Sequence, residues 1–332
     1  YRGTICAIIG HLLPTMTYTV KGLPLHLLTL SLLLTPVTAT ALSFALPQAG
    51  DDLVGEVGEI QSRYEDTLSD IARENDLGYI EITEANQEVD PWLPGEGTRV
   101  VLPKQFILPP GPREGIVINL AELRLYYYPK GEKRVITHPL GIGREGWSTP
   151  TGRARVTRKQ HKPSWRPTPS ILKEHEEMGE PLPTVVKPGP NNPLGQHAIY
   201  LSMRGYLLHG TNKPYGVGMR VSHGCIRLYP EDIASLFDQV PSNTPVRIIN
   251  EPYKAGWLNS RLYIEAHPPL SEQRKAHGIN FTPMVSAIIK AMGEREMKPD
   301  WEAMKQAAIN QRGIPTPVTA IITEESVMLQ SR

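Results

Sequence analysis

Residues 116–128 constrain the fold most: Ile116-Val117-Ile118 is a short apolar run, after which Leu123, Leu125 and Tyr127 alternate with Arg124, Tyr126 and Tyr128. A period of two belongs to strands, so the stretch predicts a hairpin. Gly131 marks the next turn, followed by Arg134 to Leu140 and a Gly141-Ile142-Gly143 corner. Further strand-like runs lie at His197 to Met203, Tyr206 to Leu208 and Val246 to Ile249. An antiparallel sheet or barrel with few helices is implied. The chain has 32 prolines in 332 residues, against a usual share of about 5%, so ordered irregular connections are expected. Many fall between 158 and 196, including Trp165-flanking Pro167 and Pro169, then Pro181, Pro183, Pro188, Pro190 and Pro193. A long connection inside a compact domain suits a lid, and Glu174 to Met178 has helical character within it.

Two smaller parts flank this region. Residues 42–58 read as an extended leader. Asp66 or Thr67 then caps a short helix with Leu68, Ile71 and Ala72 on one face, a second helix fits Tyr79 to Ala85, and Arg99 to Leu102 forms a strand closed by Pro103. Beyond Asn250, a strand over Arg261 to Glu265 precedes a helix covering much of 283–311, and Pro315 and Pro317 precede a polar ending at Ser331-Arg332. At the other end, Lys21, an apolar run from Leu23 to Leu34 and the small residues Thr38-Ala39-Thr40-Ala41 have the order of a secretory signal peptide, with cleavage after Ala41. The alternative, an uncleaved anchor, needs a longer apolar run of roughly 20 residues. The expected division is a signal segment, 1–41; a leader with a small module, 42–110; the β-rich segment, 114–250, with its insertion, 158–196; and an appendix, 251–332. A net charge of +1 offers no broad basic surface for nucleic acid.

Export affects the reading of the cysteines. Cys6 falls within or before the signal, which leaves Cys225 without an intrachain disulfide partner. Its surroundings, Leu207-Leu208-His209-Gly210-Thr211 and Val221-Ser222-His223-Gly224-Cys225-Ile226-Arg227, are those of a reactive thiol. A thiolate nucleophile needs a base or positive field nearby, which His209 or His223 can supply. Gly224 permits a sharp turn that aims the N–H groups of Gly224 and Cys225 at a developing oxyanion. Arg227 offers a forked donor for a carboxylate. Cysteine with two histidines is also compatible with zinc, although the motif provides no clear fourth ligand. His209 taken alone can be a structural histidine, and Arg227 a surface ion-pairing residue.

His209-Gly210 followed by Ser222-His223-Gly224-Cys225 resembles the signature of the L,D-transpeptidases, whose catalytic domain is of the YkuD type, over about residues 114–250. Gly115 to Asn119, Leu123 to Tyr128, Gly141 to Gly143, Thr149-Pro150-Thr151-Gly152 and Asn192-Pro193-Leu194-Gly195 support it. Asp66-Thr67-Leu68, Asn86 and Leu93-Pro94-Gly95 resemble a LysM module, a small β-α-α-β unit that binds peptidoglycan glycan; the alternative is a helical spacer. Together these implied parts are a mainly β catalytic sandwich or barrel with few helices, a small α+β module and a C-terminal appendix with a helix. The resemblance implies a periplasmic enzyme without cofactor or metal. Cys225 would attack peptidoglycan tetrapeptide stems, release D-alanine and pass the diaminopimelate acyl group to an amine. His209 would move the proton, His223, Ser222 and Gly224 would support the thiolate and oxyanion, and Arg227 and Gly210 would contact substrate. Many members carry asparagine at the position of Arg227; arginine there, with the flanking parts, resembles the enterobacterial subgroup that attaches the major outer-membrane lipoprotein. The preferred acceptor is therefore that lipoprotein's lysine. Stem-to-stem cross-linking, hydrolysis and a noncatalytic peptidoglycan-binding scaffold are the alternatives.

Overall fold

The computed structural model describes residues 41–277, 280–295 and 297–319. Lys21, the apolar run, Cys6 and the polar ending at Ser331-Arg332 lie outside the described residues, so the signal-peptide expectation is carried by sequence alone.

The first described part contains strands β1 (Leu42–Ala45), β2 (Leu53–Gly55) and β3 (Gly58–Gln61), helices α1 (Leu68–Glu74) and α2 (Tyr79–Ala85), and strands β4 (Arg99–Leu102) and β5 (Gln105–Ile107). Thr67 caps α1 as expected: its hydroxyl accepts from the Asp70 N–H at 3.2 Å while the Asp70 carboxylate accepts from the Thr67 N–H. β3 and β4 pair antiparallel around the two helices. The supposed leader is more ordered than the sequence suggested. β1 adds to the edge of the main sheet by pairing antiparallel with residues 134–137, and β2 pairs with β5. Strands this short carry too little periodic pattern to stand out from an extended linker.

The middle part runs β6 (Gly115–Asn119), β7 (Arg124–Tyr128), β8 (Arg134–Pro139), β9 (Ile142–Gly143), β10 (Gly152–His161), α3 (Pro169–Glu177), β11 (His197–Leu201), β12 (Leu207–His209), β13 (Arg220–Ser222), β14 (Ile226–Arg227), α4 (Pro230–Gln239) and β15 (Pro245–Ile249). Nine strands form one sheet in the order β1-β8-β7-β6-β15-β10-β11-β12-β14. It is not wholly antiparallel: β6 with β15 and β12 with β14 are parallel, because each of those pairs is joined by a long crossover rather than a tight turn. Residues 158–161, assigned to the proline-rich insertion, belong to β10, since pairing with β11 continues to His161↔His197.

Leu125 and Tyr127 of β7, with Leu123 just before it, enter one core, and the opposite face of the strand is buried too. Tyr126 and Tyr128 pack with Leu68, Ile71, Leu77 and Ile82 of the helical module in a second core. Arg124 on that face is fully buried and forks onto Glu81 of α2 through Nε–Oε1 at 2.6 Å and Nη2–Oε2 at 2.8 Å. Removing one partner of such a pair costs about 3–5 kcal/mol.

The appendix forms a third core under the hairpin β16 (Tyr253–Leu258) and β17 (Arg261–Ala266), with α5 (Ser271–His277), α6 (Thr282–Met292), α7 (Trp301–Asn310) and the short β18 (Thr316–Pro317). The single helix expected over 283–311 is two, because Gly293 caps α6 at φ 56° and Asp300 starts α7 by accepting from the Ala303 N–H.

Candidate active site

Cys225 sits in the turn between β13 and β14, at the rim of the main sheet. The parallel register Leu208↔Ile226 and His209↔Arg227 makes His209 and Arg227 direct neighbours. Cys225 lies two positions before Arg227, just ahead of β14, and the Arg227 guanidinium is close enough to act on its thiol electrostatically. The sheet thereby gathers three of the residues singled out by sequence.

His209 is buried, and its Nδ1 donates to the Gly210 carbonyl oxygen at 2.5 Å. That bond fixes the tautomer and leaves Nε2 with the lone pair. Burial, reinforced by the Arg227 guanidinium, holds its pKa down at about 3, so the ring is neutral at pH 7. Gly210 is therefore placed as the group that orients His209. Its N–H donates to the His197 carbonyl, and a Cβ there would stand 3.1 Å from Ile233 Cγ2.

The turn itself is tied internally. Ser222 Oγ donates to the Cys225 carbonyl at 2.5 Å and accepts from the Gly224 N–H at 3.1 Å. The Gly224 N–H is thereby engaged within the turn at rest. Gly224 has φ 100°, a conformation that favours glycine, and Thr149 Oγ1 donates to its carbonyl at 2.8 Å while accepting from the Gly143 N–H. The Cys225 thiol donates to the Gly205 carbonyl at 3.6 Å, and burial pushes its pKa up to about 11. At rest burial favours the thiol at Cys225 and the neutral imidazole at His209.

His223 faces away from this arrangement. Its Nε2 lies 2.8 Å from Glu174 Oε2 on the insertion helix α3 and 3.2 Å from Arg144 Nη2, and Trp147 packs edge-on at 4.8 Å between ring centroids. Arg144 also bonds Glu174. The insertion thus touches the Cys225 turn, and the appendix contributes too: Glu272 of α5 accepts from Arg220 on β13 and from Ser148. Arg227 Nε is buried without a partner, and no acidic side chain pairs with this guanidinium among the described residues. Arg144, Trp147, Glu174 and Glu272 were not found from sequence. Only Thr149, in the Thr149-Pro150-Thr151-Gly152 run, gave any signal.

Residues 113–248 match the model of the L,D-transpeptidase catalytic domain. Among Escherichia coli K12 proteins, the one named "Probable L,D-transpeptidase YbiS" is 43% identical over 285 residues, 84% of this chain and 92% of that protein. "Probable L,D-transpeptidase YcfS" is 46% identical over 71% of this chain and 75% of its own length. "Probable L,D-transpeptidase ErfK/SrfK" is 42% identical over 74% and 80%, respectively.

Proposed function

The chain belongs to the L,D-transpeptidase family, and from that premise we propose that Cys225 is its nucleophile and peptidoglycan tetrapeptide stems its acyl donors. The observation that carries this reading is the junction of β12 and β14, where a neutral, tautomer-fixed imidazole lies beside an unpaired guanidinium two positions from the Cys225 thiol. As Sγ attacks the carbonyl between the L-centre of diaminopimelate and the terminal D-alanine, His209 Nε2 takes the thiol proton. The imidazolium then protonates the departing amine, D-alanine leaves, and a thioester remains on Cys225. An acceptor amine adds to the thioester, loses its proton to His209 and returns the thiol. Because both resting groups are neutral, proton transfer accompanies attack rather than preceding it. The buried Arg227 guanidinium binds a donor carboxylate with charge-assisted bonds. Ser222 shapes the turn, and His223 joins it to the insertion, which acts as a lid. Gly210 supports His209 and borders the donor site.

The acceptor in this reading is the C-terminal lysine of an outer-membrane lipoprotein, and the β3-α1-α2-β4 unit binds glycan in the manner of a LysM module. The enzyme works in the periplasm after export, without metal or organic cofactor, since thiol, base and oriented donors suffice for acyl transfer. The deciding experiment incubates the mature chain with a disaccharide-tetrapeptide, with and without a lipoprotein C-terminal peptide, beside Cys225→Ala. Cys225-dependent loss of D-alanine and an adduct with the peptide are expected. A stem dimer would name a second stem as acceptor, a shortened stem would name water, and an unchanged donor would leave a noncatalytic scaffold.

A further inference from the structure

Two buried clusters of acidic and histidine side chains lie outside the active site, and one of them contains its own cation. Glu122, Glu265 and His267 surround Lys254, whose Nζ is 2.9 Å from Glu265 Oε1, also contacts Glu122, and donates to the Ile107 carbonyl at 2.7 Å. In the other cluster, Asp76 from the α1–α2 connection, His138 from the end of β8 and Asp232 from the first turn of α4 converge. Their ligand atoms all lie within 4.8 Å of one another, and none of the three residues is more than 5% exposed. His138 Nδ1 lies 3.2 Å from Asp232 Oδ1, but burial holds that imidazole's pKa down at about 4, so it brings no positive charge at pH 7, and Asp76 Oδ1, Asp232 Oδ2 and His138 Nε2 have no hydrogen-bond partner. Arg124, which borders the cluster, is engaged by Glu81, by Thr137 Oγ1 and by the Asp76 backbone carbonyl rather than by either carboxylate. Buried carboxylates without a counter-ion are costly.

One further group reaches them: the backbone nitrogen of Leu42, first residue of β1, donates to Asp76 Oδ2 at 2.7 Å. Leu42 follows Ala39-Thr40-Ala41, the small-residue pattern after which the leader is expected to be removed. We propose that cleavage of the Ala41–Leu42 bond supplies the cation this cluster lacks, the α-ammonium of Leu42 becoming the counter-ion of Asp76 and Asp232. The inference rests on the exported reading given above. The reaction is hydrolysis by a signal peptidase that accepts small residues on the acyl side. The oxygen of water joins the Ala41 carbonyl as the C–N bond breaks, and the Leu42 nitrogen leaves as an amine and takes a proton. An amide offers one N–H, whereas the ammonium offers three to a cluster with two unpartnered carboxylate oxygens. Because β1 pairs with β8, which carries His138, the new terminus is held as an edge strand against the same cluster. Maturation thereby completes the electrostatics of the fold.

The test compares two otherwise identical chains, one beginning at Leu42 with a free amine and one retaining Ala41, each with and without Asp76→Asn. Asparagine suits this position, where φ is 54°. The Leu42 chain should unfold at least about 5 °C higher than the Ala41 chain, and Asp76→Asn should shrink the gap to within about 1 °C. Should the substituted chains not fold, acetylation of the Leu42 amine makes the same comparison and should remove the gap. Mass spectrometry of the periplasmic protein should find Leu42 at its start. Equal melting temperatures, a gap that survives Asp76→Asn or acetylation, a different start, or one equivalent of Zn²⁺ held by the mature chain and lost with Asp76→Asn would each overturn the proposal. Failure of donor turnover with the gap intact would overturn the transpeptidase reading alone.

Discussion

His209 and His223 stand sixteen positions before and two before Cys225, in contrasting surroundings. His209 is 3% exposed, has one nitrogen committed to the Gly210 carbonyl, and is held neutral by burial. The His223 side chain is 25% exposed and spends its Nε2 on a carboxylate from the insertion. Proximity in sequence would favour His223 as the base. The proposed mechanism takes His209 instead, because β12 and β14 pair side by side whereas His223 lies in the turn. A histidine that must accept and return one proton benefits from a fixed tautomer and exclusion of water, whereas one that links a turn to a lid benefits from access to both.

The strongest way to break this contrast is substitution. His209→Asn should lower kcat for D-alanine release by about 10²–10⁴-fold, while His223→Gln should cost less than about tenfold in the same assay; the reverse order would exchange their roles. A second measurement follows the thiol. With its pKa pushed up to about 11 by burial, Cys225 is increasingly ionised as pH rises, so its alkylation by iodoacetamide should accelerate about tenfold per unit between pH 7 and 9. A plateau below pH 8 would mean a preformed thiolate beside an imidazolium and would abolish the neutral-pair picture. Arg227→Ala should raise KM for the tetrapeptide donor roughly 10- to 100-fold, with alkylation at pH 7 changed by less than about twofold; equal effects on both would remove the carboxylate-binding role. Glu174→Gln should have the smallest consequence, about a threefold rise in donor KM at unchanged kcat, because the His223 contact is partly solvated. A large fall in kcat would instead tie the lid to the chemistry.

The sequence exposed those features whose cause is local. Alternation from Leu123 to Tyr128 marks a strand whatever packs on it, Thr67 and Asp70 form a capping box within one turn, and the Ser222 to Cys225 run brings its glycine and hydroxyl along with the thiol. The contact of Glu174 with His223 joins residues 49 positions apart, and nothing in the pattern of α3 singles out that carboxylate from its acidic neighbours. Lys254 was equally hidden: it is buried against its cross-strand neighbour Glu265 and against Glu122, more than a hundred positions upstream. The burial of Arg124 depends on a module more than 40 residues upstream. Local chemistry was legible, and the long-range partners that decide its electrostatics were not.

The parallel pairing of β6 with β15 also bears on how the protein comes into being. Ile116 to Asn119 align with Val246 to Ile249, so the strand that begins the catalytic segment cannot complete its pairing until the strand that ends it is available. Ordering so distant a contact incurs loop-closure entropy before any burial offsets it. A chain delivered across a membrane from its N-terminus would expose the open edge of β6 until Ile249 emerged, and during that interval β6 to β8 with the helical module are the parts able to assemble. Slow closure of the remaining sheet would then set the time for which the unpaired edge stays open to other chains.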